Sequence, residues 1–197
     1  MIDGTLDRLK AAALLSSSAI LAAGLSDSLR AEGVYTVECV GADGRVKWRD
    51  EIINTVMTVG KNVMLDQALA GSAYTVTGPY MGLISSTSYS AISAADTMSS
   101  HSGWLEAGNA NAPTYTSPRK TAAWSSASAG SKALSAALSF AITGTGTIKG
   151  CFMVFFTGAV TTIDNTSGTL LSAGLFTGGD RAVISGDTVN VSYSMAL

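Results

Sequence analysis

Charge is what this sequence has least of. Asp, Glu, Lys and Arg make up 13% of its 197 residues, 12 basic against 14 acidic, about half the share of an ordinary soluble domain. Ala, Gly, Ser and Thr fill the gap, so the surface is polar but weakly charged. An isolated domain uses more charge to stay dispersed, and the composition therefore predicts a β-rich protein largely covered by neighbours. No basic cluster exists beyond Arg119-Lys120, which disfavours nucleic acid as a partner.

Metal-ligating residues are equally sparse. His101 is the single histidine, and Cys39 and Cys151 stand far apart in separate strand-like runs with no CxxC or Cys/His spacing. That removes the usual zinc patterns, and the absence of EF-hand spacing leaves only scattered carboxylates such as Asp164, Asp180 and Asp187, the last two reading as turn residues. No metal or other cofactor is expected. The cysteines read as small buried apolar side chains in a reducing cytosol, with a disulfide left open. No apolar run reaches the ~20 residues that span a bilayer, so no membrane partner is expected.

Catalytic signatures are missing too. "DTMSSHSGWLEAG", residues 96–108, gathers Asp96, Ser99, Ser100, His101 and Ser102, the residue types of a serine hydrolase. Such a triad also needs a turn presenting the serine beside an oxyanion hole, and nothing resembles GxSxG. Asx and Ser/Thr turns with Trp104 as an apolar anchor suit the stretch better. "GTGTIKG", residues 144–150, lacks the GxxxxGK[ST] spacing of a phosphate loop and opens a strand, so it reads as a hairpin turn. The expectation is that the protein is not an enzyme.

What is present is periodicity. From Thr5 to about Ser28, Leu6, Leu9, Ala13, Ile20 and Ala23 recur at helical steps, while Leu14, Leu15, Leu21 and Leu25 cover much of the remaining circumference. Arg8 and Lys10 before an apolar run resemble an export signal, but Asp3, Asp7 and Ser16-Ser17-Ser18 spoil that pattern. The segment is therefore expected to be a retained helix, buried on its own domain or on a partner subunit.

At Gly33 the period changes to two. Tyr35, Val37 and Cys39 share one face of a strand, as do Val46, Trp48 and Ile52 of the next, with Asp43-Gly44 as the turn. Residues 58–70 predict a short helix pairing Val59 with Val63, Met64 with Ala68 and Leu65 with Leu69, stopped by Gly71. "YMGLIS" predicts a strand, followed by about 35 residues with few periodic cues, a length that marks a loop as functional or covered by a neighbour. "KALSAALSFAI" alternates across its whole length. "TIKGCFMVFF" is apolar on both faces and should be central or at an interface. In the last strand Val189, Val191, Tyr193 and Met195 point inward. Seven or eight strands with intervening turns predict an antiparallel β-sandwich, jelly-roll or immunoglobulin-like, over residues 33–197, preceded by a helical arm over 1–32.

Landmarks scattered over residues 33–197 resemble a family of small virion-associated proteins of tailed bacteriophages. They are Trp48, Asn54, Gly60, Asn62, Leu65, Asp96-Thr97-Met98, His101, Trp104, Arg119, Trp124, Gly178-Gly179-Asp180 and Gly186-Asp187. The resemblance implies a non-enzymatic structural component, a capsid decoration or cement protein on the head surface, made in the bacterial cytoplasm. Its partners would be the major capsid protein and copies of itself. Contact candidates are Leu6, Leu9, Leu14, Ile20 and Leu21 of the arm, with His101, Trp104 and Tyr115 of the 87–120 loop. The alternative is a tail fibre, spike or adhesin subunit binding host glycans, for which exposed Trp104, Tyr115 and Trp124 would serve as platforms.

Overall fold

A computed structural model describes residues 31–69 and 77–196. In chain order its elements begin with β1 (Glu32–Val40), β2 (Val46–Ile53), β3 (Thr55–Val56), α1 (Thr58–Ala68), β4 (Tyr80–Ser85) and β5 (Lys120–Thr121). They continue with β6 (Ser131–Ala133), β7 (Leu138–Ala141), β8 (Gly146–Phe155), β9 (Thr169–Leu175), β10 (Arg181–Val183) and β11 (Thr188–Ala196). The predicted N-terminal helix, with Leu6, Leu9, Leu14, Ile20 and Leu21, lies outside the described residues, as does Gly71.

The strands form two antiparallel sheets, as expected of a sandwich. One runs β2-β1-β11, with β6 and β7 both along the far side of β11; the other runs β3-β9-β8-β4-β5, with β10 beside β8. The alternating residues read from the sequence bring the sheets together. Tyr35, Val37 and Cys39 of β1 and Val189, Val191 and Tyr193 of β11 meet Met81, Leu83, Ile148, Cys151 and Met153 across the interface. Removing each of the larger side chains from water contributes about 1.5–3 kcal/mol. Cys39 and Cys151 are free thiols inside this core.

Three expectations about elements need correction. "KALSAALSFAI" is not one strand: Leu134–Ala137 lie opposite only two residues of β11, Ser192 and Tyr193, so the run breaks into β6 and β7. Ser135 turns aside to donate its amide to the Ala123 carbonyl, and alternation resumes with Phe140 and Ile142 buried on the core side. On β2, Asp50 shares the inward face with Ile52 and is buried, whereas Val46 is exposed. In α1 the buried positions are Gly60 and Val63, while Leu65 and Leu69 face outward, 53% and 77% exposed. A Cβ on Gly60 would stand 2.8 Å from the Leu171 carbonyl oxygen. The missing side chain thus lets the helix backbone seat directly on β9.

β8 is central, flanked by β9 and β4, and both its faces are buried. Cys151 and Met153 belong to the inter-sheet core. Phe152 and Val154 point the other way, into a second core with Met57, Ile84, Met98, Trp104, Leu170 and Ala173.

Candidate functional site

That second core is closed by the long stretch between β4 and β5. The loop expected to be functional or covered by a neighbour is itself a cover, lying over the outer face of its own second sheet. Trp104 is its plug, 0% exposed, with its ring 5.2 Å from that of Phe152. Met98 is buried beside it, and Tyr89 and Ile92 pack at the margin.

The polar residues around Trp104 hold the plug. The indole Nε1–H donates to Asp96 Oδ2 at 2.9 Å, and the same oxygen accepts the Ser93 amide at 3.0 Å. The half-buried His101 stacks on the indole, ring centres 4.0 Å apart, and its Nδ1 lies 3.1 Å from the Trp104 carbonyl oxygen. Ser99 Oγ faces Thr97 Oγ1 at 3.2 Å. Asp96 therefore meets the tryptophan and the histidine meets a carbonyl. The Ser, His and Asp adjacent in sequence are not joined as nucleophile, base and carboxylate.

A buried ion pair fastens the other end of the loop. Arg119 and Glu106 are 1% and 3% exposed and form a fork, Nε to Oε1 at 2.8 Å and Nη2 to Oε2 at 2.7 Å. Arg119 also donates to the carbonyls of Val160 at 3.2 Å and Asn165 at 2.7 Å, and Glu106 Oε2 accepts the Asp164 amide at 2.8 Å. Burial pushes the Glu106 carboxyl above its usual range, and the guanidinium pulls it back only in part. The network ties the cover to the β8–β9 connection, where Asp164 holds a left-handed φ of 63° and accepts from Asn109 and the Ala110 amide. A cavity of about 240 Å³ lies at this junction, lined by Met98, His101, Leu105, Glu106, Asn111 and Asp164 among others.

The remaining aromatic candidates also face inward. Tyr115 is 3% exposed and packs edge-on against Phe140, ring centres 5.0 Å apart, with its hydroxyl buried and unbonded. Trp124 is half-buried and edge-on to Tyr193 at 5.9 Å. Trp104 and Tyr115 thus belong to the domain's own cores, and neither ring is presented as a glycan platform.

A second polar junction, at the β2 edge, was legible only in part. Asp50 takes Arg181 at 2.5 and 2.8 Å, Thr177 Oγ1 at 2.8 Å and the Gly178 amide, while Asp187 takes Lys47 at 2.6 Å and the Ile184 amide at 2.9 Å. For both carboxyls burial works to raise the pKa, but the hydrogen bonds outweigh it and hold both below the usual aspartate range. The position of Asp50, two residues before Ile52, was the available signal. Glu106 carried none, because its partner stands thirteen residues away across an irregular loop. Among the described residues, no three His, Cys, Asp or Glu side chains gather as a metal site.

Comparison with protein-family models, with curated proteins and with solved structures gives no match. The candidate site therefore rests on its geometry.

Proposed function

We propose that the chain is a non-enzymatic structural component of a tailed-phage virion, a decoration or cement protein that bridges major capsid proteins on the head surface. One observation carries the reading: the most chemically suggestive residues are engaged in holding the chain's own cover. Asp96, His101, Glu106 and Arg119 fasten a loop over Phe152 and Val154. The residues that carry the family resemblance have matching duties, Gly60 against β9, Gly178 beneath Asp50 and Asp187 on Lys47. A rigid, weakly charged domain of this kind suits a cement, which stabilises a pressurised shell by burying area on two neighbours. Each ~100 Å² of apolar contact contributes a few kcal/mol at most, before association costs.

Within the sandwich class we place the fold nearer the jelly-roll than the immunoglobulin order. Its first and last described strands pair in one sheet and β3 pairs with β9 in the other, a nesting that a folded-over hairpin produces. The functional test is a copy number. Quantitative mass spectrometry of purified DNA-filled heads, with density from electron cryomicroscopy, should find the chain stoichiometric with the shell protein and seated over its junctions. Absence from heads, or a few copies at the tail, refutes the proposal.

A further inference from the structure

Sheet edges present unpaired backbone groups, and a folded protein guards them with charge, brevity, bulges or a covering segment. Most edges here are guarded. The β2 edge is crossed by the β9–β10 turn, where the Thr177 amide donates to the Glu51 carbonyl at 3.0 Å and Trp48 Nε1 to the Ala182 carbonyl at 3.3 Å. β7 is covered at its end by residues 114–116, with the Thr116 amide on the Ala141 carbonyl at 2.8 Å. β3 and β5 are two residues long, the first running into α1 and the second following Pro118.

Among the described residues, the exception lies outside β6. Residues 124–128 pair with 131–134 through Trp124↔Leu134 and Ser128↔Ser131, closed by a turn with Ala129 at φ 49° and Gly130 at φ 74°. This outermost strand, Trp124-Ser125-Ser126-Ala127-Ser128, is exposed from Ser125 onward, and no residue from 121 to 131 is charged. Ser125 and Ser128 direct their amides inward, to the carbonyls of Ala133 and Ser131. No hydrogen bond from the amides of Trp124, Ser126 or Ala127 occurs among the described residues.

We infer that residues 124–128 form an antiparallel edge-to-edge contact with the same residues of a second copy, continuing the sheet across two protomers. A two-fold contact sets each residue against itself or a near neighbour, so a charged edge would meet its own charge, and this edge carries none. Ser and Ala side chains leave the two backbones free to approach to ladder distance. The one-residue register step between the two bridges restricts pairing to a few residues, so the contact is smaller than a standard stable interface. Self-association in about the 0.1–1 mM range is expected, effective where copies are held close together. The contact specifies a surface for the self-association included in the functional reading, and it is tested on the purified chain independently of any virion.

The test is sedimentation equilibrium on the full chain across that range, with hydrogen exchange at both ends of it. Mass should rise with concentration, and added protection should centre on 124–128. Ser126→Pro and Ala127→Lys should each weaken association at least tenfold with an unchanged thermal midpoint. A wild-type chain that stays monomeric overturns the inference, as does association that both variants retain. If a variant misfolds, the exchange pattern of the wild type decides, and added protection that omits 124–128 refutes the pairing. Protection of 124–128 only after isolated shell protein is added would assign the edge to a different partner and likewise refute self-pairing.

Discussion

Replacing Trp104 tests whether the loop over the second sheet is a true core element. Truncating a buried Trp to Ala costs about 3–5 kcal/mol. Here the change also leaves the Asp96 carboxylate with the Ser93 amide alone and takes away the ring on which His101 stacks. The expected loss is at the upper end of that range, a fall in Tm of about 10–20 °C for a domain of this size. Trp104→Phe keeps an aromatic ring on Phe152 but loses the indole N–H, a charge-assisted bond worth about 1.5–3 kcal/mol, together with the packing of the second ring. The assay is reversible thermal and urea unfolding of wild type, both variants, Phe152→Ala and the Trp104→Ala/Phe152→Ala double variant. The rings are 5.2 Å apart, so the two alanine changes should be non-additive by about 0.5–1.5 kcal/mol. A Trp104→Ala loss below about 1 kcal/mol, or strict additivity with Phe152→Ala, would refute the view that the loop completes a second core.

Three further outcomes are expected. Arg119→Met should cost about 3–5 kcal/mol by stranding the buried Glu106 carboxylate. Glu106→Leu/Arg119→Met should recover only part of this in denaturant melts, because the Asp164 amide and the Val160 and Asn165 carbonyls stay orphaned. Asp50 and Asp187 have folded pKa values below their unfolded ones, so their stabilisation is full above an unfolded pKa of about 4 and is lost as pH falls through the lower folded values. Tm measured from pH 6 to pH 2 should decline mainly below pH 4, and Asp50→Asn should flatten that decline. Burial raises the Cys39 thiol to about 11 and the Cys151 thiol further still; a thiol reagent at pH 7 should label neither in the native protein and both in guanidinium, as followed by mass spectrometry.

Period-two alternation made β1, β2 and β11 legible, because a strand with one buried face must alternate. The apolar character of both faces of β8 correctly required a central position. The split of β6 from β7 was not legible, since a bulge that resumes on the same face leaves the alternation intact. The outward turn of Leu65 and Leu69 was hidden for a related reason: helical spacing predicts which residues share a face, and packing decides which face is buried. In the loop, Trp104 was readable as an anchor and Asp96 as a turn residue, but their bond to each other was not.

The local pattern of the chain by itself determined a mainly β protein, weakly charged, with seven or eight strands and a short helix after the first hairpin. These properties depend on neighbours two to four residues apart. Only the tertiary structure decided that "DTMSSHSGW" closes over the protein's own sheet, that Glu106 meets Arg119 at the other end of the same loop, and that the uncharged edge at 124–128 has no covering strand among the described residues. Burial, ion pairing and edge exposure depend on which distant segment arrives opposite, a relation that residue spacing along the chain does not contain.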